Sequence, residues 1–215
     1  MAMSTMLLIG CGNNKNTDSS NVTGQEADAA EDEVVEDFEN EVEDEAETDL
    51  YGYVAPTELG VKLASLTFQL EGVYYQFPVP VYEFIKNGWQ IPEVYKTDDL
   101  ISAGEYYDMA LENEEGKILY EVRIKNTTEE PQTLENCMVN RMLVVADQKF
   151  DFALPEGIDF DSTVDELKAV TAQGSIQQNG NYTTCVWDNE AWTDSITAWY
   201  HPEIGVEYFE MMGWY

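Results

Sequence analysis

The clearest alternation of apolar and polar positions in the chain runs through residues 106–125. Tyr107, Met109 and Leu111 alternate with Asp108, Ala110 and Glu112. After the turn Glu114-Glu115-Gly116, Ile118, Tyr120, Val122 and Ile124 alternate with Leu119, Glu121, Arg123 and Lys125. A period of two with one apolar and one mostly polar face predicts an antiparallel hairpin with a solvated side. Upstream, Leu66, Phe68 and Leu70 alternate with Thr67 and Gln69, Glu71-Gly72 supplies a turn, and Val73–Phe77 returns. That pattern predicts a second hairpin. Downstream of the polar loop Asn126–Gln132, a strand carries Cys137, Val139, Leu143 and Val145. Further strand-like runs follow at Tyr182–Trp187, Ser195–Tyr200 and Val206–Met212.

Helical spacing is confined to two short segments. Val81, Phe84 and Ile85 share one face of a helix over about 81–87, with Gly88 beyond its end able to take positive φ. Thr163 with Glu166, or Ser162 with Asp165, forms a capping box that opens a second helix, with Val164, Leu167 and Val170 inward and Gly174 as its stop. The order helix, strand, strand, strand thus occurs twice, once in residues 50–150 and again in 151–215. The expected fold is α+β: a duplicated unit of helix and antiparallel sheet, its short helices packed on one face of the sheet.

Charge separates this part of the chain from what precedes it. The formal charge is −33 over 215 residues. Residues 12–49 hold fifteen acids and one Lys, with few apolar side chains beyond Val34, Val35, Phe38 and Val42. Such a segment cannot bury enough apolar area to offset its ordering entropy, so a disordered acidic linker is expected. Residues 50–215 carry 28 acids against nine Lys and Arg. Both parts repel phosphates and anionic polymers, which argues against nucleic acid as a partner. A cationic partner would be steered in, but the simpler reading, that the charge keeps a surface protein soluble, is preferred. No run of eighteen apolar residues exists to cross a bilayer as a helix.

Ahead of the acidic segment, Leu8-Ile9-Gly10-Cys11 resembles the lipobox of bacterial lipoproteins. The resemblance implies that residues 1–11 are signal peptide and lipobox, that Met1–Gly10 is removed, and that Cys11 carries the lipid. Each buried methylene contributes about 0.8 kcal/mol, and two acyl chains anchor stably where one is marginal. The implied location is the cell membrane, lipid-anchored and extracytoplasmic. Cys137 and Cys185 lie in apolar strand-like runs and read as free buried thiols, with pairing in an oxidising compartment as the alternative. A second resemblance lies in Leu154-Pro155-Glu156-Gly157-Ile158-Asp159-Phe160-Asp161-Ser162-Thr163-Val164-Asp165-Glu166-Leu167. This run is similar to the start of a helix in tandem-repeat lipoproteins with a β-lactamase-inhibitor-protein-like fold. What it implies is short helices on one sheet face, and on the other a concave surface that binds a protein without catalysis.

Catalytic constellations are poorly served. His201 stands alone beside Pro202, and no Gly-x-Ser-x-Gly elbow accompanies it. One His and two unspaced Cys fall short of a four-ligand zinc site. Asp159-x-Asp161-x-Thr163-x-Asp165 begins like a calcium loop, but Val164 and Val170 occupy the positions that need Gly and Glu. Acids there suit a helix N-terminus instead. No catalytic residue, cofactor or metal is therefore expected, and a hydrolase working through paired carboxylates ranks last. The favoured function is binding of a protein partner through the open sheet face, with Glu121, Arg123, Thr197 and Trp199 on it. The alternative is a cell-wall or carbohydrate-binding module using Trp187, Trp192 and Trp199.

Overall fold

The computed structural model describes residues 51–96, 100–172 and 175–213. The signal peptide, Cys11, the acidic linker, the helix stop at Gly174 and Trp214 lie outside the described residues. In chain order the first elements are β1 (Thr67–Leu70), β2 (Val73–Gln76), β3 (Val79–Pro80), α1 (Val81–Lys86) and β4 (Trp89–Gln90). Then come β5 (Tyr106–Asn113), β6 (Ile118–Lys125), β7 (Met138–Val145) and β8 (Phe152–Ala153). The last are α2 (Val164–Val170), β9 (Ile176–Asn179), β10 (Tyr182–Asp188), β11 (Asp194–His201) and β12 (Gly205–Gly213). A small sheet has the order β2-β1-β8, and a large one the order β4-β5-β6-β7-β12-β11-β10-β9, with β3 also on β7. Every pairing is antiparallel.

Local chemistry accounts for the elements. Glu71 (φ 52°) and Gly72 (φ 78°) both take left-handed backbone between β1 and β2. A two-residue turn of that kind twists with its flanking strands and fixes their register. At α2, Thr163 and Glu166 cap each other reciprocally: the Thr163 amide donates to Glu166 Oε2 at 2.8 Å, and the Glu166 amide to Thr163 Oγ1 at 3.3 Å. The acidic run before it is used in the same turn, Asp159 Oδ1 accepting from the Asp161 amide at 2.9 Å.

The α+β expectation is overturned. The fold is β-rich and antiparallel, and among the described residues its only α-helices, α1 and α2, have six and seven residues. At 1.5 Å per residue such a helix is about 10 Å long. Eight strands side by side span roughly 34 Å, so two short helices cannot form the covering layer. The inner face of the large sheet is instead closed over by the small sheet together with α1, α2 and several 3₁₀ turns. Short helical periods in the sequence marked real turns of helix but not the layer that matters.

Aromatic rings join the two sheets. Phe68 of β1 stacks on Tyr75 at 5.3 Å, Tyr75 on Phe84 of α1 at 4.9 Å, and Phe84 meets Trp89 edge-on at 6.1 Å. On the other side Phe152 of β8 lies 4.9 Å from Phe209 of β12, which also meets Phe160 at 5.1 Å. All of these but Phe160 are buried. Phe209→Ala removes the ring through which β8 reaches the large sheet. The expected cost is about 3–5 kcal/mol, read as a lower urea midpoint with an unchanged slope. Val61→Ala, at a position 88% exposed, should leave that midpoint in place.

Candidate functional site

Three extra residues decide which side chains the large sheet turns outward. Between β5 and β6, Met109 pairs with Val122 and Leu111 with Leu119, so Ala110 opposes both Tyr120 and Glu121. Between β6 and β7, Arg123 pairs with Arg141 and Ile124 with Val139, leaving Asn140 as the extra residue. Between β11 and β12, Trp199 pairs with Tyr208 and Tyr200 with Val206, leaving Glu207 over. Each bulge reverses the face of every residue beyond it. Leu119, Val122 and Ile124 are thus buried while Tyr120 is 52% exposed, although strict alternation groups Tyr120 with Val122 and Ile124. In β7, Val139, Met142 and Val144 face the core, and Leu143 and Val145 turn to the outer face that alternation denied them.

The four residues predicted for the open face are all on it. Arg123 lies across from Arg141, and Arg141 from Met212. Leu143 faces Glu210, which faces Thr197; Val145 faces Tyr208, which faces Trp199. Glu121 and Thr197 do not meet, because β7 and β12 lie between their strands and set them about 14 Å apart. Arg141 and Glu210 join the two sides. Arg141 Nε donates to Glu210 Oε1 at 3.0 Å, and its Nη1 to Glu121 Oε2 at 3.3 Å. Strict alternation from Val139 places Arg141 inside, so only the bulge at Asn140 makes it a surface residue.

The charges pair locally. Arg123 grips Asp108 with two hydrogen bonds, 2.8 and 3.1 Å, and its guanidinium lies 4.2 Å over the Tyr106 ring. Those bonds hold the Asp108 carboxyl below the usual carboxylate range. Toward β10 the face becomes aromatic. Trp199 and Tyr208 stack at 5.2 Å with planes 22° apart, and Tyr182 meets Trp199 edge-on at 5.9 Å. Burial, then the nearby Glu210 charge, pushes the Tyr208 phenol up to about 12. Tyr182 donates its hydroxyl to Glu207, a bond that raises its own pKa. Trp199 Nε1 is buried and finds no acceptor among the described residues.

Other singled-out residues are placed as follows. Trp187 is buried and donates to the Val170 carbonyl at 3.3 Å, while Trp192 is 75% exposed at the β10–β11 turn. His201 ends β11, its Nδ1 accepting from the Glu203 amide at 3.2 Å. Cys137 and Cys185 are free and buried; burial pushes the Cys137 thiol up to about 12 and raises Cys185 as well. Among the described residues no three His, Cys, Asp or Glu side chains converge to hold a metal. A groove of about 740 Å³ lies off this face, lined by Ile85, Trp89, Ile91 and Leu134 with Glu93 and Lys96 paired at its rim at 2.8 Å.

No family model, curated protein or solved structure matches the chain.

What the outer face offers chemically is an array of Arg–carboxylate pairs next to an aromatic stack, suited to docking a macromolecular surface. Its strongest ion pair is testable by pH. A carboxyl whose folded value lies below its ordinary 3.8 adds stability above that value and loses it as pH falls through the depressed one. Arg123→Gln removes this contribution. The stability gap between wild type and Arg123→Gln should stay constant above pH 3.8 and close on further acidification, as read from urea unfolding across pH. A gap that widens toward acid would contradict the pairing.

Proposed function

We propose that this chain is a non-catalytic, lipid-anchored extracytoplasmic bacterial protein that holds a protein partner on the outer face of its large sheet. The observation that carries the reading is the composition of that face. Leu143, Val145, Trp199 and Tyr208 are half-buried apolar groups that no second layer of the described residues covers, and they stand among Arg123, Arg141, Glu121 and Glu210. Trp, Tyr and Arg are the residues on which protein interfaces concentrate their binding energy. The face also draws strands from both halves of the chain, β6 and β7 from one and β11 and β12 from the other. A sugar platform is less well supported. Trp187 is buried, and Trp199 and Tyr208 spend one face each on stacking together instead of lying side by side. Anchorage rests on the lipobox-like Leu8–Cys11 and on the acidic residues 12–49 as a tether. No helix among the described residues is long and apolar enough to cross a membrane.

Two experiments test the two parts. Cross-linking with the full-length chain in its native membrane should retain a partner that Trp199→Ala or Arg141→Glu loses by at least about tenfold, the scale of an interface hot spot. Trp192→Ala should leave capture unchanged; loss with Trp192→Ala alone would favour the sugar reading. Cys11→Ala should move the protein from the membrane to the soluble fraction, and its persistence in the membrane would overturn the anchor.

A further inference from the structure

A second surface, independent of the outer face, lies along the edge of the large sheet. β5 is eight residues long, yet β4 covers only its end, Trp89 pairing with Asn113 and Gln90 with Glu112. Among the described residues, no strand lies beside β5 from Tyr106 to Leu111 on the side away from β6. The described residues supply its outward backbone groups with no hydrogen-bond partner there. A row of free N–H and C=O groups is a template for one more strand. Natural edges are usually blunted by lysine, proline or a bulge. β5 contains no Lys, Arg or Pro, and the extra residue of its irregular pairing sits on β6.

We propose that this edge accepts an extended, positively charged segment of a partner protein as an added strand. Charge selects the occupant. Glu105, Glu112 and Glu114 are exposed along or beside β5 and enter no ion pair among the described residues, while the neighbouring Asp108 and Glu115 are paired with Arg123 and Lys117. Residues 100–116 contain no Lys or Arg. A second copy of the chain would set this acidic row against itself, and like charges directly opposite are destabilising. Side chains give the incoming strand its pattern. Tyr106 and Tyr107 are 52% and 44% exposed and point to opposite sides of the pleat. Tyr106 is held in place beneath Arg123. An added strand therefore meets apolar surface beside Tyr107 on one side, and on the other the acid Glu112, unpaired among the described residues, beyond the Arg123-bound Asp108. Cationic residues alternating with apolar ones match both. The opposite edge, β9, offers four residues, Ile-Gln-Gln-Asn, and no comparable charge.

The test uses the full chain with a synthetic peptide of alternating Lys and Val, and its Glu–Val counterpart, followed by amide hydrogen exchange. The Lys–Val peptide should slow exchange of outward amides within Tyr106–Leu111, and binding should weaken as salt is added. Glu105→Lys with Glu112→Lys should cost at least about tenfold in affinity. Trp199→Ala should leave binding at the edge intact, which separates this result from the fate of the outer-face reading. Equal binding of the Glu–Val peptide, protection at β9 or on the outer face in place of β5, or no binding at all would overturn the proposal.

Discussion

In a pleated strand every second side chain shares a face, so a single inserted residue reassigns all that follow. This constraint shapes the molecule more than any individual contact. Val139 and Met142 are both fully buried, yet three positions apart they cannot share a face in a regular strand. Burying a side chain of this size contributes about 1.5–3 kcal/mol, whereas a ladder hydrogen bond nets only about 1 kcal/mol. Burial of Val139 and Met142 therefore prevails, and Asn140 becomes the extra residue of a bulge, itself still buried. The same balance places Leu119 inside at the expense of Tyr120, and Val206 inside with Phe209 at the expense of Glu207. The residues left outside (Tyr120, Leu143, Val145 and Tyr208) join Trp199 as the apolar part of the outer face, so the demands of the core created much of that surface.

The covering layer is tied down by one charged group as well as by aromatic rings. Glu71, at the tip of the β1–β2 hairpin, accepts from Lys117 Nζ at 2.7 Å and from the Asp151 amide at 2.8 Å. It thereby joins the small sheet's turn to the β5–β6 turn of the large sheet and to the segment before β8. The Lys117 and Glu71 side chains are only 23% and 19% exposed, so solvent screens this pair less than the open ion pairs elsewhere. The left-handed backbone at Glu71 that the tight turn requires is also what aims its carboxylate at both donors.

Alternation alone made β1, β2, β5, β6, β10, β11 and β12 legible in the sequence, and the Thr163–Glu166 capping box made the start of α2 legible. Two-residue strands such as β3, β4 and β8 have no period to read, so the small sheet's third strand and the cover of the β5 edge were not visible. Missing β8 had a further consequence: nothing showed that the β1–β2 hairpin belonged to a separate covering sheet, so the layer over the inner face looked helical. Within the outer face, Thr197 and Trp199 could be read because β11 keeps its alternation from Asp194 to Trp199. Glu121 and Arg123 kept their side although the strand is bulged at Tyr120–Glu121. Arg141 and Glu210 could not be read, since their orientation depends on long-range pairing that local sequence does not encode.

Charge is distributed differently over the two proposed binding surfaces, and that difference bears on how each would discriminate. On the outer face, the guanidinium groups of Arg123 and Arg141 are engaged by Asp108, Glu121 and Glu210, so the field there is largely balanced at short range. A partner would be selected by fit to the Trp199–Tyr208 stack and by exchange of hydrogen bonds with already paired groups, which governs residence more than encounter. Along β5 Asp108 is spent on Arg123, but Glu105, Glu112 and Glu114 enter no ion pair among the described residues, in a chain whose total charge is already −33. At physiological salt the field of such an edge reaches about 8 Å, enough to steer a cationic segment but not to hold it. Holding falls to the backbone groups, which are indifferent to sequence. The edge would thus choose by charge and bind by main chain, while the face would choose by shape, and neither task requires a catalytic group.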